Sequence, residues 1–188
     1  MSKLTAAFIA ALFLASCSHL VSTNYPGKPL NELPKSWSGT YNVTFPSFLQ
    51  FFLAGADSTQ STVEIGKSNI VWTAGPTVSR YTTADSLKFT ELNGNYYICL
   101  HNSHDQYTVL RVKETSTGLE LFGLTADDDV QAKELEPFFK KVEKLEAGDE
   151  DEETGINLYE VTIDDKKIDK YFTSKIPSKD PIVLKRKK

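Results

Sequence analysis

The sequence predicts a mainly β domain, a single antiparallel meander of about eight strands with two or three short helices, and three observations carry that expectation. Residues 87–92 and 96–101 are alternating runs on either side of Asn93-Gly94, a pair that tolerates the two positive φ angles of a type I′ turn. Two more runs, 107–113 and 119–124, follow across a polar turn at 102–105 and a Ser-Thr-Gly turn at 116–118. Four strands so close in sequence are antiparallel neighbours. The stretch 181–186 (PIVLKR) reads as a last strand, and pairing it with the first would remove two exposed edges.

The remaining elements follow in order. Residues 40–45 alternate as the first strand, directly after Trp37-Ser38-Gly39. Residues 46–56 (PSFLQFFLAGA) read as a short helix with Ser47 as N-cap and Gly55 as stop. Residues 62–65 and 69–73 read as two strands or one broken strand, and Ala74-Gly75-Pro76 as a turn. Asp127, Asp128 and Asp129 then cap an expected helix. Its apolar stripe is Leu135, Phe138, Phe139, Val142 and Leu145, with Pro137 kinking it or starting its better half. The acidic run 149–153 reads as solvated loop, 157–163 as a strand, and 164–175 as a helix turning Ile168, Tyr171 and Phe172 inward.

The amino terminus carries the sharpest motif. Lys3 precedes the apolar run 4–14, which is too short to span a bilayer and has the form of a secretory signal. Leu14-Ala15-Ser16-Cys17 at its end resembles the lipobox of bacterial lipoproteins. That resemblance implies cleavage before Cys17, a diacylglyceryl thioether on its sulfur, and a bilayer as partner. Two or three acyl chains, at about 0.8 kcal/mol per buried methylene, make a durable anchor. Ser18 brings no Asp beside the cysteine, which by the same resemblance implies the periplasmic face of the outer membrane, although a single-membrane source stays open. The expected organisation is a signal peptide at 1–16, a lipidated Cys with a Pro-rich tether at 17–36, and the β domain at 37–188. Pro26, Pro29 and Pro34 suggest a semi-extended tether reaching on the order of 60 Å.

Composition removes some classes of function. The formal net charge of −4 becomes −5 without Lys3, which gives no electrostatic basis for binding nucleic acid. With Cys17 acylated, Cys99 is the only remaining thiol, so no intramolecular disulfide can form and stability rests on packing. No nucleophile elbow, phosphate loop or paired-histidine zinc motif is present, and the expectation is a non-catalytic chain without cofactor or metal. His101, His104 and Asp105 are close in sequence, but a zinc site needs three or four converging ligands and this spacing suits a polar turn.

The Trp37-x-Gly39-x-Tyr41 start is similar to the first strand of lipocalin-like barrels, which implies a barrel with helices over one end and a ligand inside. On that resemblance Phe48, Phe51 and Phe52 either form a lid or plug one end of the core. Trp72 is a further candidate for lining a ligand. Arg111 shares a strand face with Tyr107, Val109 and Lys113, opposite the more apolar Thr108, Leu110 and Val112. Facing inward, Arg111 and Tyr107 would anchor a carboxylate; the apolar alternation favours Arg111 outside. The expected function is binding of a small or amphipathic ligand by an envelope lipoprotein. The alternative is a structural or protein-interaction lipoprotein with a filled core.

Overall fold

The computed structural model describes residues 18–45, 61–101, 105–126, 130–145, 157–177 and 180–187. The expected helix at 46–56, with Phe48, Phe51 and Phe52, lies outside the described residues, as do Cys17, His104 and the run 149–153.

The described residues are mainly β, a curled and mostly antiparallel sheet forming a half-barrel, consistent with a lipocalin-like barrel and carrying two short helices, with Ser18–Ser22 and Asn157–Ile163 as its parallel pair. In chain order the strands begin with β1 (Ser18–Ser22), β2 (Lys28–Leu30), β3 (Gly39–Thr44), β4 (Thr62–Ile65), β5 (Asn69–Ala74), β6 (Thr77–Thr82) and β7 (Leu87–Leu92). They continue with β8 (Asn95–His101), β9 (Tyr107–Thr115), β10 (Gly118–Gly123), β11 (Thr125–Ala126), β12 (Phe139–Lys144), β13 (Asn157–Ile163) and β14 (Ile182–Arg186). The helices are α1 (Ala132–Leu135) and α2 (Ile168–Thr173). The hydrogen-bonded path runs β12-β13-β1-β9-β10-β14-β3-β4-β5-β6, with β8, β7 and β2 extending from β9. The last strand does pair with β3, Leu184 opposite Val43, and its other edge joins β10.

Two cores lie on opposite faces of β8 and β9, which is why those strands are apolar on both sides. Inside the curl, Ile98 and Val112 join Trp37, Tyr41, Val63, Phe89, Leu121 and Leu184. On the outer face, Tyr97, Cys99 and Val109 join Leu20, Leu135, Phe139, Tyr159, Ile168 and Tyr171 under the two helices. The inner core is closely filled with rings. Trp37 meets Phe89 and Tyr96 edge-on, at centroid separations of 5.2 and 5.5 Å, and Phe89 stacks on Tyr96 at 5.6 Å. Two polar ends in this core are satisfied: Trp37 Nε1 donates to Glu114 Oε1 at 2.5 Å, and the Tyr41 hydroxyl donates to the Trp37 carbonyl at 2.6 Å. Arg186 from the last strand covers the Tyr41 ring at 5.3 Å and donates to its hydroxyl at 2.8 Å.

Two expectations need correction. The segment expected as a tether is folded: β1 pairs with β13 through five residues, β2 pairs with β7, and Leu20, Val21, Leu33 and Trp37 are buried. The prolines fall where strands tolerate them, Pro29 on an edge strand and Pro34 before the 3-10 turn Lys35–Trp37. Gly27 makes the approach possible. At φ 69° it lies so close to the Glu91 carbonyl that a Cβ would sit 2.2 Å from the oxygen. The helix expected after residue 129 is one turn, α1, followed by the strand β12. Pro137 cannot continue the helical ladder, and β12 is an edge strand whose exposed Lys and Glu resemble the wet face of a helix. β6 carries no apolar alternation that marks it as a strand: Val78 is 62 % exposed while Ser79 is buried.

The buried acids of the outer core give a prediction about alkaline stability. Burial pushes the Cys99 thiol well above its ordinary value of 9, and burial together with the Asp169 carboxylate raises the Tyr97 phenol above 10. Both groups hold their protons longer in the fold than in the unfolded chain, so their contribution is fully present below about pH 9 and is lost as pH rises beyond it. The thermal midpoint should therefore fall between pH 9 and 11. Cys99→Ala should flatten the first part of that fall; an unchanged slope would show that Cys99 takes no part in it.

Candidate functional site

A described recess lies at the turn end of β8, where β9 and β10 form a floor and α2 a wall, and its lining joins Arg111, Phe122 and Phe172 of the outer face to Tyr96, Val112 and Glu114 of the inner-core face. Its volume is about 410 Å³, within the range of small-molecule sites, and Asn95, Arg111, Lys113, Phe122 and Phe172 contribute to its lining. Each part has a local cause. Asn93 at φ 53° and Gly94 at φ 78° make the expected tight hairpin between β7 and β8, which projects Asn93 and Asn95 toward α2. In α2, Ile168 and Tyr171 enter the outer core, so Asp169 and Phe172, three residues apart, share the flank that faces the hairpin.

Asp169 ties these pieces together. Its carboxylate accepts hydrogen bonds from Asn95 Nδ2 at 2.9 Å, from the Tyr97 hydroxyl at 2.9 Å and from Asn93 Nδ2 at 3.3 Å. Asn95 turns its oxygen the other way and accepts from Arg111 Nη2 at 2.6 Å. The Arg111 guanidinium also lies over the Phe172 ring, 5.7 Å from its centroid. Across the strands Arg111 stands opposite Tyr97 on β8 and Phe122 on β10. Among the described residues this half-buried cation makes no ion pair, whereas its neighbour Lys113 is bound to Glu120 at 3.1 Å. A guanidinium has five donors, so Arg111 keeps several for an incoming anion.

The candidate residues named from the sequence do not form one site. Leu110 and Val112 pack on the inner core, which sends Arg111 and Tyr107 to the outer face. A carboxylate anchor inside the curl built from these two is therefore corrected. Tyr107 stands four residues before Arg111 and packs edge-on against Tyr25 at 5.3 Å and beside His101 at 5.1 Å. Trp72 belongs to the inner core next to Phe45, on the other side of the sheet. His101 Nε2 pairs with the exposed Asp105 carboxylate at 3.2 Å, and among the described residues no three His, Cys, Asp or Glu gather as metal ligands.

Sequence reasoning missed Asn95, Phe122, Asp169 and Phe172. The position of Phe122 opposite Arg111 was within reach, because the turn at Ser116-Thr117 sets that register. Asp169 and Phe172 lie more than fifty residues from Arg111 and carry no local signal of this meeting. Comparison with protein-family models, with curated proteins and with solved structures finds no match to this chain.

Proposed function

We propose that the chain is a lipid-anchored envelope lipoprotein that binds a small amphipathic ligand without transforming it, in the Arg111 recess rather than inside the curl. Arg111 is the observation that carries this reading: a half-buried guanidinium with an amide and an aromatic face as neighbours, standing in a recess of ligand size. An anionic head would take the remaining guanidinium donors as charge-assisted bonds, and an apolar tail would lie along Phe122 and Phe172. The interior suits a ligand less, since its rings already pack on one another. Cys99 is fully buried with its thiol pushed up, which makes it a poor nucleophile and supports a non-catalytic role. The anchor is proposed from the lipobox, with the periplasmic face of the outer membrane as its place.

Titration with dodecanoate, followed by calorimetry, tests the recess. Saturable binding is expected, weakened at least tenfold by Arg111→Gln with the thermal midpoint little changed; equal binding by both proteins would remove Arg111 from the site. Cys17→Ala should move the protein from the membrane to the soluble fraction, and continued membrane association would sink the anchor. The filled interior favours one second reading, a protein-interaction lipoprotein. Native mass spectrometry of protein drawn from its own envelope separates the two, by a co-purifying small molecule or a protein partner.

A further inference from the structure

We infer that the folded domain docks directly on the bilayer through the end of the β12–β13–β1 ladder where β1 begins, with the membrane surface as the partner of that end. The inference rests on the proposed lipidation of Cys17. Ser18, the next residue, is already the first residue of β1, paired with Asn157 on one side and Ala126 on the other. One peptide separates successive Cα atoms by about 3.8 Å, so an acylated Cys17 leaves no free chain between the lipid and the sheet.

The strand is not free to peel away and act as a leash. It holds five parallel pairs with β13, and Leu20 and Val21 are buried. Ser22 Oγ donates to the Val161 carbonyl at 3.2 Å, and the Thr23 amide donates to the same carbonyl at 2.9 Å. The register defines which end lies near the lipid. Asn157, Ala126 and Leu145, whose amide donates to the Leu158 carbonyl at 2.9 Å, are at the Ser18 end. Ser22, Phe139, Ile163 and the turn that follows Ile163 are at the other. The chain carries a net negative charge, so vesicles of zwitterionic phosphatidylcholine suit the test, because anionic lipid would add charge repulsion.

Lys144, near the Ser18 end, and Lys166, in the far turn, are both exposed and lie on the order of 15 Å apart along the strands. Cys99 is buried and Cys17 is acylated in the lipidated chain, so Lys144→Cys or Lys166→Cys each provides a single thiol for a fluorophore. With the lipidated full chain in phosphatidylcholine vesicles, headgroup nitroxides should quench the label at 144 at least threefold more than the label at 166. Inserting about a dozen Gly and Ser residues between Cys17 and Ser18, roughly 20 Å of r.m.s. reach, should make the two alike. Equal quenching without the insertion, in protein that floats with the vesicles, overturns the docked orientation and leaves the anchor standing. Protein that fails to float, with an unmodified Cys17 by mass, overturns both.

Discussion

Trp37→Ala should destabilise the fold by about 3–5 kcal/mol, a large fraction of the stability of a domain this size. The indole is 0 % exposed and stands at the centre of the inner core. Removing it takes away two edge-on ring contacts, with Phe89 and Tyr96, and leaves a cavity that rigid strands on both sides cannot close. It also strips Glu114 of the indole N–H it accepts from. Trp37→Phe separates these contributions, since a phenyl ring restores much of the ring contact but not the hydrogen bond; about half of the loss should return. Urea denaturation followed by tyrosine fluorescence or circular dichroism measures both variants. A loss under 1 kcal/mol for the alanine variant would mean that the rings are not packed as described.

Leu20→Ala should cost about 2–5 kcal/mol, a result that a free tether could not give. Leu20 is buried in the outer core beneath α1 and α2, on a strand that joins β13 to β11 and to the start of β9. A residue on a solvated leash would change stability by no more than about 0.5 kcal/mol when truncated. The same denaturation measurement therefore decides whether the chain next to Cys17 is part of the domain, independently of whether the cysteine carries lipid. An effect within experimental error would restore the tether and withdraw the docked orientation.

What could be read from the sequence was local. The Asn93-Gly94 hairpin follows from two residues that accept positive φ, and the meander from 87 to 124 follows from alternation with short turns between the runs. The facing of Arg111 followed from which alternate residues are apolar. The errors share a cause, since in each case a long-range partner altered the meaning of a local pattern. Residues 18–30 look polar and proline-rich until β13 and β7, lying far along the chain, supply the other half of their pairing. Charged β12 looks like an exposed helix face until its place at the edge of the sheet is known.

The sequence by itself determined the mainly β class, the tight hairpin and the meander from 87 to 124, because turn chemistry and period-two alternation act between neighbours. Only the tertiary structure decided where the recess lies. Asp169 and Phe172 reach Asn95 and Arg111 because a second core on the back of β8 and β9 seats α2 there, and that core is assembled from segments more than a hundred residues apart. Burial of this kind depends on the sum of distant surfaces, and no single stretch of the chain records it.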